Sequence, residues 1–313
     1  KECHSRWSIR KQSGIPNNIN ETYTGLINRN KQEGVYLTPL HKIKQMKYFK
    51  PGGKISKKET NIIGVIGAVL LITIWYLVTL TGEIISPGVL PNPVDVINSI
   101  PDLFGKYNLL GNIWYTVSLN ISGYLIAVLF ALPLGFLIGM IPIFNSLFRK
   151  YFEALRYLPL PTVSGIFISI FGLAFGMKAF FLAFGIFIFA LPSVIGKVLD
   201  LQNPSNVDDN VYLQTAKTMG MTNWQTFRYV YFPYVMEKVY DDIRSLVAIS
   251  YTYVVIAESL NKVGGIGAMI STFTRQSRTP EIYALLFIIV IIGLLQDKLF
   301  QVMKPILFPS TKK

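Results

Sequence analysis

Long stretches without a charged residue constrain this chain more than any other feature. No charge occurs between Glu59 and Glu83, and none from Tyr107 to Phe148. A helix of about 20 mostly apolar residues is long enough to cross the hydrocarbon core of a membrane. The chain is 51% hydrophobic and only 15% charged, whereas soluble domains carry about 25% charged residues. These features predict an all-α, polytopic membrane protein.

Six membrane-spanning helices are predicted. They lie at about 61–82, 114–141, 158–176, 179–196, 243–260 and 282–300. A short turn at Lys178 is predicted between the third and fourth spans. The spans form one transmembrane domain, residues 59–305, which a tail follows at residues 306–313.

The Lys and Arg residues predict the orientation, because short cytoplasmic loops of membrane proteins carry an excess of them. Arg149 and Lys150 lie in one loop between spans, and further basic residues lie within residues 197–244. Both termini are therefore predicted on the cytoplasmic side.

The N-terminal region, residues 1–58, is basic. Residues 1–60 hold thirteen Lys or Arg against four Asp or Glu, a net charge of +9. A basic head can be a nucleic-acid-binding arm, but before a spanning helix it is more typical of the cytoplasmic end. We expect residues 1–58 to be a disordered cytoplasmic extension. Within it, residues 1–45 are either part of that extension or an upstream mis-translation ahead of a start at Met46. N-terminal sequencing of the native protein tests this expectation.

The sequence offers little for catalysis or metal binding. The one cysteine is Cys3, and the two histidines, His4 and His41, also lie in the basic head. This composition excludes an internal disulfide and argues against a zinc site. For the acidic pair Asp208-Asp209, a solvated surface is a simpler interpretation than a metal site. A membrane-embedded enzyme is therefore disfavoured, and no catalytic residue, metal or bound cofactor is expected.

The fifth predicted span is unusually polar. It contains Ser250, Tyr251, Thr252 and Tyr253, with Glu258 near its end. Polar groups that face lipid are unfavourable, so this helix should face protein or a water-filled path. These five residues either line a translocation pathway or make hydrogen bonds between helices, and both can hold together.

A polar segment, residues 199–242, is too hydrophilic to cross a membrane and too long for a turn. Apolar residues recur at helical spacing on both sides of Gly220. Gly220 provides a helix end and Thr222 a cap for the next helix, which Pro233 ends. Residues 213–233 are predicted to form a surface knob of two short amphipathic helices, which can fit a cleft in a partner protein.

The knob resembles the cytoplasmic signature of binding-protein-dependent ABC importer permeases, which reads E-A-A, three residues, G, nine residues, I-x-L-P. Here Gln214-Thr215-Ala216, Gly220 and Val230-Tyr231-Phe232-Pro233 stand at the same spacing. Gln214 replaces the usual Glu, and Thr215 the usual Ala. By this resemblance, the residues expected to contact a partner ATPase are Gln214, Thr215, Ala216, Gly220, Met221, Thr222, Trp224, Phe227 and Pro233.

Two interpretations stay open for Trp224 and Phe227. They are either aromatic anchors that the partner buries or side chains packed against the chain's own spans. The small residues Ala216 and Gly220 are expected to permit close docking.

Further motifs extend the resemblance over about residues 60–305. VLPNPVDVINSI is similar to the elbow after the first span in permeases for nitrate, sulfonates, taurine and bicarbonate, and the Pro-rich stretch after Leu155 is similar to their third-span entry. Arg244 and Glu258 match the Arg and Ala-Glu that bracket the fifth span. GGIGAMI resembles the Gly-Leu-Gly before the sixth.

The resemblance implies a type I ABC importer permease fold with a cytoplasmic coupling helix, in a bacterial inner membrane. Two permease copies would form the pore, two cytoplasmic ATPase subunits would bind ATP and Mg, and an external solute-binding protein would deliver the cargo. The phosphate-binding pattern G-x-x-x-x-G-K-[ST] is missing from this sequence; Gly52-Gly53-Lys54 lacks the upstream Gly, and Ile55 follows it. The chain itself is not expected to hydrolyse ATP.

The resemblance favours an anionic cargo such as nitrate, a sulfonate or bicarbonate. Lys262, Arg275 and Arg278, in the last predicted outer loop, either favour an anion or dock the binding protein. The alternative function is a stand-alone secondary transporter or channel. Such proteins tend to show internal repeats and charges at mid-membrane depth, and neither is evident in the sequence.

Overall fold

The apolar runs of the sequence fold as helices. A computed structural model describes residues 55–82, 85–261 and 263–309, except for the side chains of residues 207–209, and every regular element in these ranges is helical. The α-helices are α1 (Lys57–Thr79), α2 (Pro93–Gly105), α3 (Leu109–Met140), α4 (Pro142–Ala154), α5 (Leu160–Phe171), α6 (Phe175–Gln202), α7 (Val207–Thr218), α8 (Asn223–Thr226), α9 (Phe232–Ser245), α10 (Val247–Ser259), α11 (Ile266–Arg275) and α12 (Thr279–Leu307).

Several predictions fall outside the described residues. They concern the basic head up to residue 54, including the start at Met46, and also Lys262, residues 310–313 and the Asp208-Asp209 side chains.

The chain divides into two units, Lys1–Leu71 and Ile72–Lys313, with the division inside α1. In the first unit, residues 57–71 are helical. In the second, Trp75 donates a hydrogen bond to the Pro91 carbonyl at 3.0 Å and packs against Tyr283 and Phe287 of α12. The last turns of α1 are thereby tied to both the elbow and α12.

Helices α3 and α6 form the centre of the second unit, and glycines set their separation. Gly123, Gly135 and Gly139 of α3 face side chains of α6 so closely that a Cβ on Gly135 would lie 2.5 Å from Val194. Small residues at such positions let two membrane helices approach and gain van der Waals contact. Both helices exceed about 40 Å at 1.5 Å per residue, enough to cross a bilayer.

Within the described residues, four or five spans are possible by length and composition. Helices α1, α3, α6 and α12 are long and apolar enough to cross a membrane, and the bent pair α4 and α5, whose axes differ by 106°, makes a fifth if it counts as one span. Helix α10 has only 13 residues, about 20 Å. The all-helical membrane architecture is confirmed, while the count of six stays a prediction.

The region around the third span differs from the prediction of residues 158–176. Helix α5 covers only Leu160–Phe171 and ends at Gly172, which has a φ of +67°. The predicted turn at Lys178 is wrong, since the break lies at residues 172–174 and Lys178 is inside α6 and fully buried. A charged residue signalled a loop, but here the Tyr115 hydroxyl and the Val263 carbonyl accept from its ammonium group at 3.3 and 3.1 Å.

The predicted helix end at Pro233 is also wrong. A π-helical turn, Phe227–Tyr231, leads directly into α9, in which Pro233 occupies the first turn. Proline has no amide hydrogen to donate but is tolerated in a first helical turn. The wider turn before it lets the chain continue as a helix.

Candidate functional site

The knob begins with a tightly capped turn. Gly220 has a φ of +66°, and the amides of Gly220 and Met221 donate to the carbonyls of Lys217 and Ala216, both at 3.1 Å. This pair of bonds closes a helix end in a Schellman motif. The predicted helix end at Gly220 is confirmed.

The next helix starts with a capping box. The Thr222 hydroxyl accepts from the Gln225 amide, and the Gln225 side chain accepts from the Thr222 amide at 2.8 Å. The predicted cap at Thr222 is therefore confirmed. The two caps make the turn at the tip of the knob a defined structure, although it stands at the surface.

The predicted docking residues divide into two groups in the structure. Ala216 is buried within the chain, and the Gln214 side chain donates to Asn210 at 3.0 Å. Thr215 is exposed, and a Cβ on Gly220 would meet nothing within 4 Å. The open face of the turn therefore lies at Gly220 rather than at Ala216.

The two aromatic residues of the knob also differ. Phe227 is half-buried, with its ring 5.3 Å from Phe136 of α3 and 6.1 Å from Phe232. Trp224 is 70% exposed and touches the chain at the Phe227 ring. Phe227 thus packs on the chain's own helices, and Trp224 presents its indole to the surroundings.

The end of α6 anchors the knob. The Gln202 side chain donates to the Tyr231 hydroxyl at 3.0 Å and to the Gly139 carbonyl at 3.4 Å. Asn210 of α7 donates to the Gln202 carbonyl at 3.2 Å. Burial raises the pKa of the Tyr231 phenol, which stays neutral. These hydrogen bonds connect the base of the knob to α6 and α3.

A second candidate region is the polar face of α10, where the five predicted pathway residues separate. Ser250, Tyr251 and Glu258 are buried, Tyr253 is half-buried and Thr252 is exposed. The three buried residues bond to other helices, as helix–helix hydrogen bonding predicts. Thr252 donates to the Ala248 carbonyl of its own helix at 3.4 Å, and it lines a groove.

That groove, about 650 Å³, lies between α10 and α12. Its walls are mainly apolar, but Thr252, Tyr251 and Ser245 also line it. At one end Arg244 donates to both carboxylate oxygens of Asp297, at 2.6 and 3.1 Å. The groove is therefore an apolar channel with the exposed Thr252 in its lining and an ion pair at one end.

Glu258 lies at the centre of a buried cluster. One carboxylate oxygen accepts from the Thr116 hydroxyl at 2.8 Å and the other from the Gly267 amide at 2.7 Å. Thr116 in turn accepts from the Ile266 amide at 2.9 Å, and Asn112 from the Gly265 amide at 2.8 Å. This Glu258 cluster, completed by Lys178, holds residues 263–267 against α3 and α6.

A second polar layer joins α3, α10 and α12. The Asn120 amide donates to Ser250 at 2.9 Å and accepts from Gln296 at 3.1 Å, while Tyr251 donates to Gln296 at 2.7 Å. Asn120 and its α3 neighbours Asn112 and Thr116 were not predicted as site residues. Their spacing of four within an uncharged run places them on one helix face, a signal present in the sequence.

Other predicted residues are placed as follows. Arg275 is exposed, and Arg278 pairs with Glu281 and donates to the Tyr107 hydroxyl. Among the described residues, no group of three or more His, Cys, Asp or Glu side chains could hold a metal ion.

The sequence is similar to known membrane transport proteins. The sequence model of the family described as "Binding-protein-dependent transport system inner membrane component" matches residues 127–313. A probable ABC transporter permease protein of Brucella melitensis is 27% identical over 227 residues, covering 72% of this chain and 88% of the relative. The taurine transport system permease protein TauC of Escherichia coli is 23% identical over 248 residues, 78% of this chain and 86% of the relative. The putative aliphatic sulfonates transport permease protein SsuC of Bacillus subtilis is 24% identical over 259 residues, which cover 82% of this chain and 88% of the relative.

Proposed function

Because the chain belongs to the family of binding-protein-dependent transport system inner membrane components, we propose that it forms the pathway for a small anionic solute and is driven by a separate ATPase that docks on the knob. The chain is a multi-pass membrane protein and the permease of a binding-protein-dependent ABC transporter. Like the relatives named permeases, it has no catalytic role of its own. ATP and Mg are bound by the ATPase partner.

The observation that carries the coupling proposal is the capped turn at Gly220. Two caps stiffen a projecting helix–turn–helix whose tip is open to solvent and whose base is bonded to α6. A stiff projection can act as a lever, because it moves as one piece when a partner moves. The proposal puts the ATPase on the cytoplasmic side of a bacterial inner membrane. As the excess of Lys and Arg in the predicted inner loops favours, both termini are proposed on that side too.

The substrate proposal rests on the names of two relatives and on the groove. Taurine and aliphatic sulfonates, the compounds in those names, carry a sulfonate group. The groove along α10 is lined by the exposed Thr252, and at one end it carries Arg244 in its ion pair with Asp297. Two copies of the chain would bring two such grooves together around one path, and an external solute-binding protein would deliver the anion to it.

The first test is affinity purification of the tagged full chain from native membranes, with mass spectrometry of the proteins that accompany it. We expect an ATPase subunit with a phosphate-binding loop and a solute-binding protein. Recovery of the chain alone, under conditions that preserve known transporter complexes, would contradict the proposal and favour a self-sufficient transporter.

A second test uses Gly220 in proteoliposomes that contain the chain, the ATPase and the binding protein. Gly220→Trp should abolish ATP-driven uptake of radiolabelled taurine while the chain remains inserted. Gly220→Asn is the control, because Asn tolerates a positive φ and adds a small side chain. Normal uptake by Gly220→Trp would overturn docking at this turn.

A further inference from the structure

A cavity of about 850 Å³ lies beside the knob and is bordered by α7, the knob turn, the π-helical turn, α9 and the end of α12. Helix α7 contributes Tyr212, the knob turn contributes Met219, and the π-helical turn contributes Tyr229. The end of α12 contributes Leu307, and Pro309 follows it. Residues almost 100 positions apart in sequence thus share one surface.

Apolar side chains around this cavity are exposed. Met219 is 68% exposed and Leu307 is 53% exposed, and Tyr212 and Tyr229 are exposed as well. Contiguous exposed apolar surface marks an interaction site. Lipid is a poor occupant, because α7 carries Asp208, Asp209 and Lys217 in its sequence and charged side chains are unfavourable in hydrocarbon. The surface therefore fits a protein partner.

The end of α12 is attached to α9, which continues directly from the knob. Lys304 pairs with Asp241 at 2.5 Å, and the Tyr240 hydroxyl donates to the Phe300 carbonyl at 2.9 Å. The Tyr240 ring also meets Phe308 edge-on at 5.6 Å. These contacts make the knob, α9 and the end of α12 one mechanical unit.

We propose that residues 307–309 form a second half of the surface on which the ATPase subunit docks, with the cavity receiving an apolar side chain of that subunit. This inference rests on the proposed coupling function and extends its surface from the knob to α12. The reason for choosing the ATPase as occupant is continuity, because Met219 and Met221 of the knob turn line the same cavity as Leu307.

In this arrangement the ATPase contacts the end of α12 directly. This helix of 29 residues extends about 43 Å at 1.5 Å per residue. At its far end the Thr279 hydroxyl donates to the Gly88 carbonyl at 2.9 Å, and the Tyr283 hydroxyl donates to the Val89 carbonyl at 3.1 Å. A displacement at Leu307 is therefore carried to the elbow after α1 without passing through α3 or α6.

The test measures binding of the purified ATPase subunit to the full chain in nanodiscs. Leu307→Gln should weaken binding about tenfold, as loss of one apolar anchor does at interfaces. The matched control is Ile306→Gln, because Ile306 is 72% exposed, lies next to Leu307 and is not among the residues that line the cavity. Met219→Glu tests the knob itself, and the thermal unfolding midpoint of each variant verifies its fold.

The outcomes separate the two proposals. Weak binding by both Met219→Glu and Leu307→Gln, with normal binding by Ile306→Gln, supports the two-part surface. Weak binding by Met219→Glu alone overturns the role of α12 and leaves the knob proposal standing. An equal loss of ATPase binding in Ile306→Gln and Leu307→Gln also overturns the role of α12. Failure of the wild-type chain to bind the ATPase overturns the proposed function itself.

Crosslinking adds a readout that altered stability does not change. Cys3 is the single cysteine, so a Cys3→Ser background allows one cysteine to be placed at will. Leu307→Cys should crosslink to the ATPase subunit in the assembled transporter, and Ile306→Cys should crosslink much less. Equal yields at both positions would contradict the proposal.

Discussion

The two ends of α3 have different surroundings: buried polar contacts at its start and the partly exposed knob at its end. Near its start, Asn112 and Thr116 belong to the Glu258 cluster, where buried polar groups bond to one another. About 30 Å further along the helix, Phe136 packs against the knob, where Trp224 and Met219 are exposed. The first end is completed by the chain itself, and the second presents surface that another protein can cover.

The difference follows from what each kind of group requires. A buried carboxylate is unfavourable unless hydrogen bonds or charges compensate it, so Glu258 needs the Thr116 hydroxyl and the Gly267 amide. Exposed apolar side chains require nothing from the chain but gain when a partner removes them from water. Substitutions in the Glu258 cluster should therefore change stability, and those on the knob should change coupling.

The largest expected effect is at Glu258. Glu258→Ala leaves the Thr116 hydroxyl, the Gly267 amide and the buried Lys178 without the carboxylate, and an unsatisfied buried donor costs about 1–3 kcal/mol. We expect the free energy of unfolding to fall by about 3 kcal/mol, measured by thermal or denaturant unfolding in detergent. Glu258→Gln keeps one acceptor oxygen and should lose roughly half as much. An Ala variant as stable as wild type would remove the contrast between the two ends.

Smaller losses of stability are expected when Ala replaces either of two glycines with positive φ. In Gly265 the angle is +97°, and a Cβ would lie 2.2 Å from the Glu258 carboxylate; in Gly220 it is +66°, and a Cβ would meet open space. Gly220→Ala should cost about 1 kcal/mol, from backbone strain alone. Gly265→Ala adds overpacking and should cost about 2 kcal/mol. Equal unfolding midpoints for the two variants would show that the loop at Gly265 is not held tightly.

The knob was predictable from its sequence because local signals define it. A glycine for the helix end and the Thr222/Gln225 pair for the next cap act over a few residues, and the structure has both. The prediction for Pro233 was wrong because the effect of a proline depends on its position. In the first turn of a helix it is tolerated, and in the interior it breaks the helix. The π-helical turn before it has no comparable sequence signal.

The Glu258 cluster was only partly predictable, because it depends on contacts between residues far apart in sequence. Glu258 could be identified as a polar residue at the end of an apolar run, but its partners Thr116 and Lys178 lie on other helices. Lys178 in particular has the sequence signal of a loop residue. Only the folded arrangement of α3, α6 and α10 shows that it is buried.

A third prediction separates neighbours on α10. Ser250→Ala removes the acceptor for Asn120 in the buried layer and should cost about 1 kcal/mol of stability. Thr252→Ala changes an exposed groove residue and should leave stability within about 0.5 kcal/mol while altering the rate of solute uptake. Unfolding and proteoliposome uptake, measured on the same preparations, distinguish the two. A change in uptake for neither variant would place the pathway away from this groove.

The smallest effect on stability is expected for two exposed tryptophans at opposite ends of α3. Trp224, on the knob, is 70% exposed, and Trp114, near the start of α3, is 74% exposed. Replacing either with Ala should change the free energy of unfolding by less than about 0.5 kcal/mol, as surface substitutions do. Only Trp224→Ala should reduce ATP hydrolysis stimulated by the loaded binding protein, because only that indole stands where the ATPase is proposed to dock. If Trp114→Ala reduced the stimulation equally, exposure rather than position would explain the loss, and the assignment of the knob as the docking end of the molecule would fail.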